Sequence, residues 1–267
     1  MGIRKVGIVG SGTMAGQIAE LLLKYGFEVT LYSRTDDGIK NCLARFKDKE
    51  LASRLITTAN FEGLEGNNLL IESVKEDAKV KQEIFENLDQ IASNNAIIAS
   101  NTSSIPLSLI SKKCKNRKNI LGIHFFNPVA HAKLVEITKP GDLSEENFDK
   151  VLEFVKKLDK EPIIVKDTPG FICNRLLFAM LNEAAKILHE GIGTKEDIDK
   201  AMMLGALHPA GPFKIMDLIG IDVVVDILNN LKRELNDKKF EPSPILLRMV
   251  EENKLGRKTA KGFYDYK

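Results

Sequence analysis

Apolar positions in the first half of the chain fall into two patterns. Residues 6–9 form a short continuous apolar run, residues 10–16 are rich in glycine, and residues 17–25 place Ile18, Leu21 and Leu22 on one face at helical spacing. Gly26 stops that helix, and residues 28–32 read as a second strand. Further apolar runs lie at 69–73, 96–99 and 120–123, separated by lysine- and glutamate-rich helical stretches such as 78–91. Residues 162–166 read as a last strand and 167–170 as a turn. Strand-length runs alternating with amphipathic segments predict βαβ units, with a parallel sheet covered by helices on both faces.

Beyond Gly170 the pattern changes. Residues 171–190 carry apolar side chains at 177, 178, 181, 184, 185 and 188, a long helical face. Residues 195–203, 220–235 and 243–252 read as further helices, and no β-rich run returns until 262–266. The expected fold is an α/β Rossmann-type dinucleotide-binding domain over 1–168, followed by a smaller all-α domain over 169–267.

Composition excludes several classes. In 267 residues, 39 Lys and Arg stand against 37 Asp and Glu, a net charge of +2. A nucleic-acid binder concentrates basic charge, and the one basic run, KKCKNRK at 112–118, reads as a solvated helix end. No apolar run approaches the roughly 18–20 residues of a membrane span. The first residues lead into a strand with no cleavable apolar segment ahead of it. Cys42, Cys114 and Cys173 are odd in number and far apart, so neither a disulfide framework nor a zinc site is expected. Reduced thiols fit a cytoplasmic protein without metal, nucleic-acid or membrane partners.

The chemistry begins at the glycine turn. Gly10, Gly12 and Ala15 fit G-x-G-x-x-A between a strand and a helix. The first glycine allows the tight turn, and the second lets backbone approach a pyrophosphate. The amides of the helix start, through Thr13, Met14 and Ala15, then meet its charge. About 20 residues on, NAD enzymes place an acid on the ribose hydroxyl, but here the second strand ends in Ser33, Arg34 and Thr35. A guanidinium flanked by hydroxyls suits a 2′-phosphate, so NADP is expected over NAD. Asp36 and Asp37 lie past the strand end.

Oxidising a secondary alcohol with a nicotinamide requires a base for the hydroxyl proton, and histidine is the side chain that ordinarily titrates nearest neutrality. Of the four histidines, His124 directly follows a strand-like run, at the carboxyl edge where open α/β sheets bind ligands. By itself that position leaves a structural histidine open. Glu136, twelve residues on, lies among Leu134, Val135 and Ile137, where a carboxylate is costly unless paired. Asn174 stands at an apolar helix start, where an unpartnered amide is costly.

Motifs in order along the chain carry a family resemblance: SNTSS at 100–104, HFFNP at 124–128, KLVEI at 133–137, PGFICNR at 169–175, HPAGP at 208–212 and LGRKTAKGFY at 255–264. Together with the glycine turn they resemble the short-chain L-3-hydroxyacyl-CoA dehydrogenases of fatty acid metabolism, over nearly the whole chain. The resemblance implies an oxidoreductase interconverting 3-hydroxyacyl and 3-ketoacyl thioesters, with 3-hydroxybutyryl-CoA as the expected substrate. It implies that His124 exchanges the proton, that Glu136 pairs with it and fixes its tautomer, and that Ser103 and Asn174 hydrogen-bond the substrate's oxygens. Asn127 and Pro128 look like shapers of a turn, with Asn127 expected to touch substrate or cofactor. Glu76, Lys81, Asn101, Ser103 and Lys258 are expected near the dinucleotide. An active site between the domains and a homodimer through the helical domain are implied as well. Apolar positions at 198–204, 218–228 and 246–249 exceed what about 100 residues bury alone, which agrees with pairing.

The chain also departs from its family. Family members carry a longer helical hairpin after the second strand, which helps to bind coenzyme A; here only residues 39–55 stand in that place. Lys40, Arg45, Lys47, Lys49 and Arg54 remain to meet a phosphate, or form a solvated face. Ala130, His131 and Ala132 replace more apolar residues, which points to a small or polar acyl group. These differences keep two alternatives open. One is a related dehydrogenase acting on a carrier-protein thioester or a CoA-free hydroxy or sugar acid. The other is a non-catalytic dinucleotide-binding protein, which has no chemical need for a His–Glu pair.

Overall fold

Side chains alternate across each strand, so the apolar runs feed two separate cores. The structure, a computed structural model, describes residues 2–266. In chain order the first part comprises β1 (Lys5–Val9), α1 (Thr13–Lys24), β2 (Glu28–Tyr32), α2 (Asp36–Ala44), α3 (Lys49–Ser53), β3 (Ile56–Thr58), β4 (Leu69–Glu72) and α4 (Ala78–Ile91). There follow β5 (Ile97–Ser100), α5 (Leu107–Ile110), β6 (Ile120–Phe125), β7 (Leu134–Thr138), α6 (Glu145–Lys157) and β8 (Glu161–Val165). The strands form one sheet in the order β3-β2-β1-β4-β5-β6-β7-β8.

Ile8, Ile71, Ile97, Leu121, Ile123, Val135 and Ile137 pack with Ile18 and Leu22 of α1 and with Val151 and Phe154 of α6. The intervening residues Val9, Tyr32, Leu70, Ile98 and Ile120 pack on the opposite face with Phe85 and Leu88 of α4 and Ile110 of α5. Each fully buried aliphatic side chain contributes about 1.5–3 kcal/mol, so helices hold both faces of the sheet.

The sheet departs from the all-parallel expectation at one place. All neighbouring strands pair in parallel except β6 with β7, which pair antiparallel. A parallel return needs a crossover of roughly a dozen residues or more, and residues 126–133 are too few to make one. The segment expected as a shortened hairpin forms two helices. The first begins at Asp36 because Thr35 caps it, its Oγ1 accepting from the amide of Gly38 at 3.1 Å.

Two compact units divide the chain, Met1–Phe171 and Ile172–Lys267. The second is helical: α7 (Cys173–His189), α8 (Lys195–Gly205), α9 (Pro212–Ile219), α10 (Ile221–Leu235) and α11 (Pro244–Glu251). Phe178, Leu181, Phe213, Met216, Leu228 and Phe240 lie at the centre of its core. The sequence reading did not find α9, a short helix that Pro212 opens and Gly220, at φ 105°, separates from α10. The β-rich run expected at 262–266 forms only isolated bridges. Buried Asp217 holds it, accepting from the amides of Phe263 and Tyr264 and from the Tyr266 hydroxyl, each at 2.9 Å. Among the described residues no helix is long and apolar enough to cross a membrane.

Candidate active site

Antiparallel register places His124 of β6 directly opposite Glu136 of β7. Directly opposed residues share a face with Cβ atoms about 4.5–5.5 Å apart, and the two side chains meet with Nδ1 2.8 Å from Oε2. His124 is 7% exposed and Glu136 0%. The rings of Phe126 and Phe171 flank the imidazole at centroid distances of 4.4 and 5.8 Å. A buried carboxylate opposite Nδ1 accepts a hydrogen bond from Nδ1–H, which leaves Nε2 as the basic position of the neutral ring.

The turn that closes this hairpin is clamped from two directions. The buried Lys160 ammonium donates to the carbonyls of Val129 at 2.6 Å and Ala132 at 2.7 Å. Gln17 of α1 accepts from the Val129 amide at 2.7 Å and donates to Asn127 Oδ1 at 3.1 Å. The Asn127–Pro128 peptide is cis. The sequence reading named Asn127 and Pro128 but neither Gln17 nor Lys160. A glutamine in a helix and a lysine just before a strand carry no local signal that they serve a distant turn.

At the carboxyl ends of β4 and β5 a second buried network holds the loop that carries Ser103. Glu72 accepts from Lys81 Nζ at 2.7 Å, from Ser100 Oγ at 2.6 Å and from the Val74 amide at 2.8 Å. Lys81 also lies 3.2 Å from Glu76. Glu76 in turn binds Thr102, Ser103 and Ser104. Burial alone would raise the Glu76 carboxyl, but the Lys81 ammonium and the hydroxyls of Thr102 and Ser104 outweigh it and hold the group below the ordinary carboxylate range. Lys81, expected at the dinucleotide, is only 1% exposed, its ammonium turned inward between two carboxylates. Asn101 ties three strand ends together, accepting from the Phe125 amide at 2.9 Å and donating to Ser73 Oγ at 3.3 Å. Glu72 was not singled out from sequence, where it reads as the last residue of a strand.

The glycine turn has the form a dinucleotide needs. Gly10 sits at φ 125°, where a Cβ would also strike the carbonyl of Ser73. At Gly12 a Cβ would meet nothing within 4 Å, so that side of the turn is open. Thr13, Met14 and Ala15 form the first turn of α1, and no side chain caps that helix. Its first amides have no intrahelical acceptor and face an anion site with the positive end of the helix dipole.

Beside the turn lies a cavity of about 400 Å³, with Val9, Tyr32, Phe61, Val74, Val80 and Ile84 as its apolar walls. It fits a flat purine, and Ser33, Arg34 and Thr35 also line it. The expected polar cluster is divided, however. Thr35 Oγ1 caps α2, the buried Ser33 hydroxyl donates to Ser11 Oγ at 3.0 Å, and Arg34 is exposed. Of the cations after β2, Arg45 donates to the Ser11 carbonyl. With Lys47, Lys24, Ala130 and His131 it lines a second cavity of about 560 Å³ alongside α1. Lys40, Lys49 and Arg54 do not line that cavity.

In the second unit, Asn174 lies half-buried in the first turn of α7, and Lys258 pairs with Asp222. Cys42 and Cys114 are buried, and burial together with Asp89 and Glu86 pushes the Cys114 thiol up to about 12. Among the described residues no three His, Cys, Asp or Glu side chains gather as a metal site.

Known proteins resemble this chain over nearly its whole length. The model of the 3-hydroxyacyl-CoA dehydrogenase NAD binding domain matches residues 5–168, and that of the C-terminal domain matches residues 170–266. Over 278 residues the chain is 41% identical to the 3-hydroxybutyryl-CoA dehydrogenase of Clostridioides difficile, covering 98% of this chain and 99% of that protein. It is 37% identical to the mitochondrial hydroxyacyl-coenzyme A dehydrogenase of Rattus norvegicus, covering 99% of this chain and 92% of that one. The crystal structure of (S)-3-hydroxybutyryl-CoA dehydrogenase PaaH1 from Ralstonia eutropha superposes with a TM-score of 0.91 at 35% identity, over 99% of both chains.

A carboxyl held low in the folded chain contributes stability that is full above its unfolded value, about 4.3 for glutamate. That contribution is lost as pH falls through the depressed folded value. The advantage in thermal midpoint of the wild-type chain over Glu76→Gln should be constant near neutrality and shrink between about pH 5 and pH 3. A difference independent of pH would show that the carboxyl is not held low.

Proposed function

The chain belongs to the 3-hydroxyacyl-CoA dehydrogenase family, and on that premise we propose that it interconverts 3-hydroxybutyryl-CoA and its 3-keto thioester, with NADP preferred over NAD. The observation that carries the reading is the buried pair of His124 Nδ1 and Glu136 Oε2 at 2.8 Å, at the carboxyl end of β6. The glycine turn, the uncapped start of α1 and the apolar cavity beside them fit a dinucleotide. When bound, the nicotinamide supplies or accepts the hydride.

The chain's own residues move the proton. In the reducing direction the His124 imidazolium donates from Nε2 to the oxygen that develops at C3, while Glu136 holds Nδ1 and offsets the ring's positive charge. In the oxidising direction neutral His124 takes the hydroxyl proton at the same nitrogen, since the carboxylate has already fixed the tautomer. The Ser103 hydroxyl hydrogen-bonds a substrate oxygen, the role that the family resemblance implies also for the Asn174 amide. A protein that only binds a dinucleotide gives no chemical reason to bury an imidazole against a carboxylate, a costly arrangement unless the pair is used.

Two further choices follow from particular residues. No carboxylate closes β2, and exposed Arg34 beside the apolar cavity is available to a 2′-phosphate. The cavity alongside α1 presents Lys24, Arg45 and Lys47, cations that suit the phosphates of coenzyme A despite the shortened segment after β2. In the helical unit, Leu204, Leu207 and Leu218 are 72%, 84% and 63% exposed. That much apolar surface in one small unit favours a second copy of the chain as its cover.

With acetoacetyl-CoA as substrate, His124→Gln should lower kcat by about 10²–10⁴-fold and leave NADPH affinity unchanged. Retention of more than about a tenth of wild-type kcat would remove His124 from the proton-transfer role. In the same assay NADPH should give a higher kcat/KM than NADH, and Arg34→Ala should abolish the difference by raising the KM for NADPH about tenfold; an NADH preference in the wild type would reverse the cofactor assignment. Sedimentation at micromolar concentration should return twice the chain mass, and a single-chain mass would refute the dimer.

A further inference from the structure

The turn that begins at Asn127, three residues after His124, is held partly by itself and partly by two distant side chains. Within it, the Pro128 carbonyl accepts from the amides of His131 and Ala132, each at 3.0 Å. Lys160 takes the carbonyls of Val129 and Ala132. Val129 is only 1% exposed, so its amide cannot turn to water and needs an acceptor from the protein. Gln17 Oε1 accepts from it at 2.7 Å, while Gln17 Nε2 donates to Asn127 Oδ1 at 3.1 Å. One side-chain amide thus uses its acceptor and a donor on two residues of the turn, on either side of Pro128.

Gln17 stands four positions after Thr13, the first residue of α1, and on the same helix face. Both line the cavity of about 560 Å³, as does Pro128. The uncapped amides at the start of that helix face the anion site of the glycine turn. A single rigid element therefore carries both the seat of a dinucleotide and a contact to the histidine's turn. Only Phe125 and Phe126 separate Asn127 from His124, and the Phe126 ring lies 4.4 Å from the imidazole between centroids. Three residues of chain span at most about 11 Å, so a shift of the turn reaches the imidazole. Hydride and proton must arrive at one carbonyl group from separate donors, and a misplacement of about 1 Å can cost about 10²-fold in rate.

We infer that Gln17 is a positioning residue for the reaction. Through Asn127 and Val129 it ties the turn that follows His124 to the helix that seats the dinucleotide, and so sets the imidazole relative to the nicotinamide. The inference rests on the reading that His124 transfers the proton.

A double-mutant cycle with the histidine reads this role. Wild type, Gln17→Leu, His124→Gln and the double variant are compared by kcat and KM with acetoacetyl-CoA, using whichever of NADPH and NADH gives the wild type its higher kcat/KM. The dissociation constant of that cofactor comes from fluorescence titration. Gln17→Leu keeps the bulk and removes both hydrogen bonds. It should lower kcat about tenfold, with KM and the cofactor constant within about twofold, and in the His124→Gln background it should lower kcat less than about twofold. Gln17→Glu, which keeps an acceptor for the Val129 amide, should stay within about threefold of wild-type kcat. Wild-type kcat in Gln17→Leu would overturn the inference. Equal losses in both backgrounds would make Gln17 a general structural residue, with the same consequence. A raised KM or weaker cofactor binding with kcat retained would make it a ligand and overturn the inference too, as would a loss in Gln17→Glu as large as in Gln17→Leu. Retention of more than about a tenth of kcat in His124→Gln alone would instead mark a failure of the underlying reading, which that single variant reveals separately. If Gln17→Leu does not fold, Gln17→Asn, whose amide is one methylene shorter in reach, takes its place in the cycle: it should lower kcat about fivefold in the wild-type background only, and an equal loss in both backgrounds, or none, would overturn the inference.

Discussion

The antiparallel pairing of β6 with β7 is the constraint on which the candidate site depends. With Gly122 opposite Thr138 and Phe125 opposite Val135, His124 can only face Glu136. A slip of one residue would send the carboxylate to the other face of the sheet, away from the imidazole. The apolar set Ile123, Phe125, Val135 and Ile137 resists that slip, because it is buried in the core beneath α1 and α6. Lys160 and Gln17 resist it from outside by fixing the backbone of the closing turn. Gln17 belongs to the helix that opens at the glycine turn, so the dinucleotide end and the histidine end of this unit are joined through one side chain.

Charges are buried where the function needs rigidity. His124 with Glu136, and Glu72 with Lys81, lie at or beside the carboxyl ends of β4 and β6, where β7 begins, with Asn101 tying β5 to β6 and to Ser73. Removing one member of such a buried pair leaves an uncompensated charge, which costs more than the pair contributes. These groups therefore lock one arrangement at the edge where open α/β sheets bind ligands. The same exactness is absent from the far end of the sheet, where β3 is short and largely exposed.

Much of this was legible in the sequence. The βαβ rhythm follows from side-chain alternation and helical spacing, both local properties, so β2 and α4 were placed at their observed limits and the change to helices near Gly170 was visible. The glycine turn was readable for the same reason, since its backbone demand belongs to Gly10 alone. Shorter features with competing signals escaped. Pro212 and Gly220 look like punctuation yet delimit a helix, and the run at 262–266 has strand-like residues but is held by side chains of distant helices. Ser33, Arg34 and Thr35 read as one cluster, although α2 draws Thr35 into its cap.

What the chain determined by itself, apart from the family motifs that singled out His124, is the order and kind of its longer elements and the phosphate turn. These depend on neighbours a few positions apart, within reach of backbone propensity and periodicity. Only the tertiary structure decided that β7 runs backward against β6 and that Lys81 points inward. It also decided that Glu76 gathers the 102–104 loop and that Lys160 and Gln17 hold a turn far from them in sequence. The physical reason is that a polar side chain must find partners when it is buried. Which partners it finds depends on which strands and helices the sheet brings together, not on its own neighbourhood in the chain.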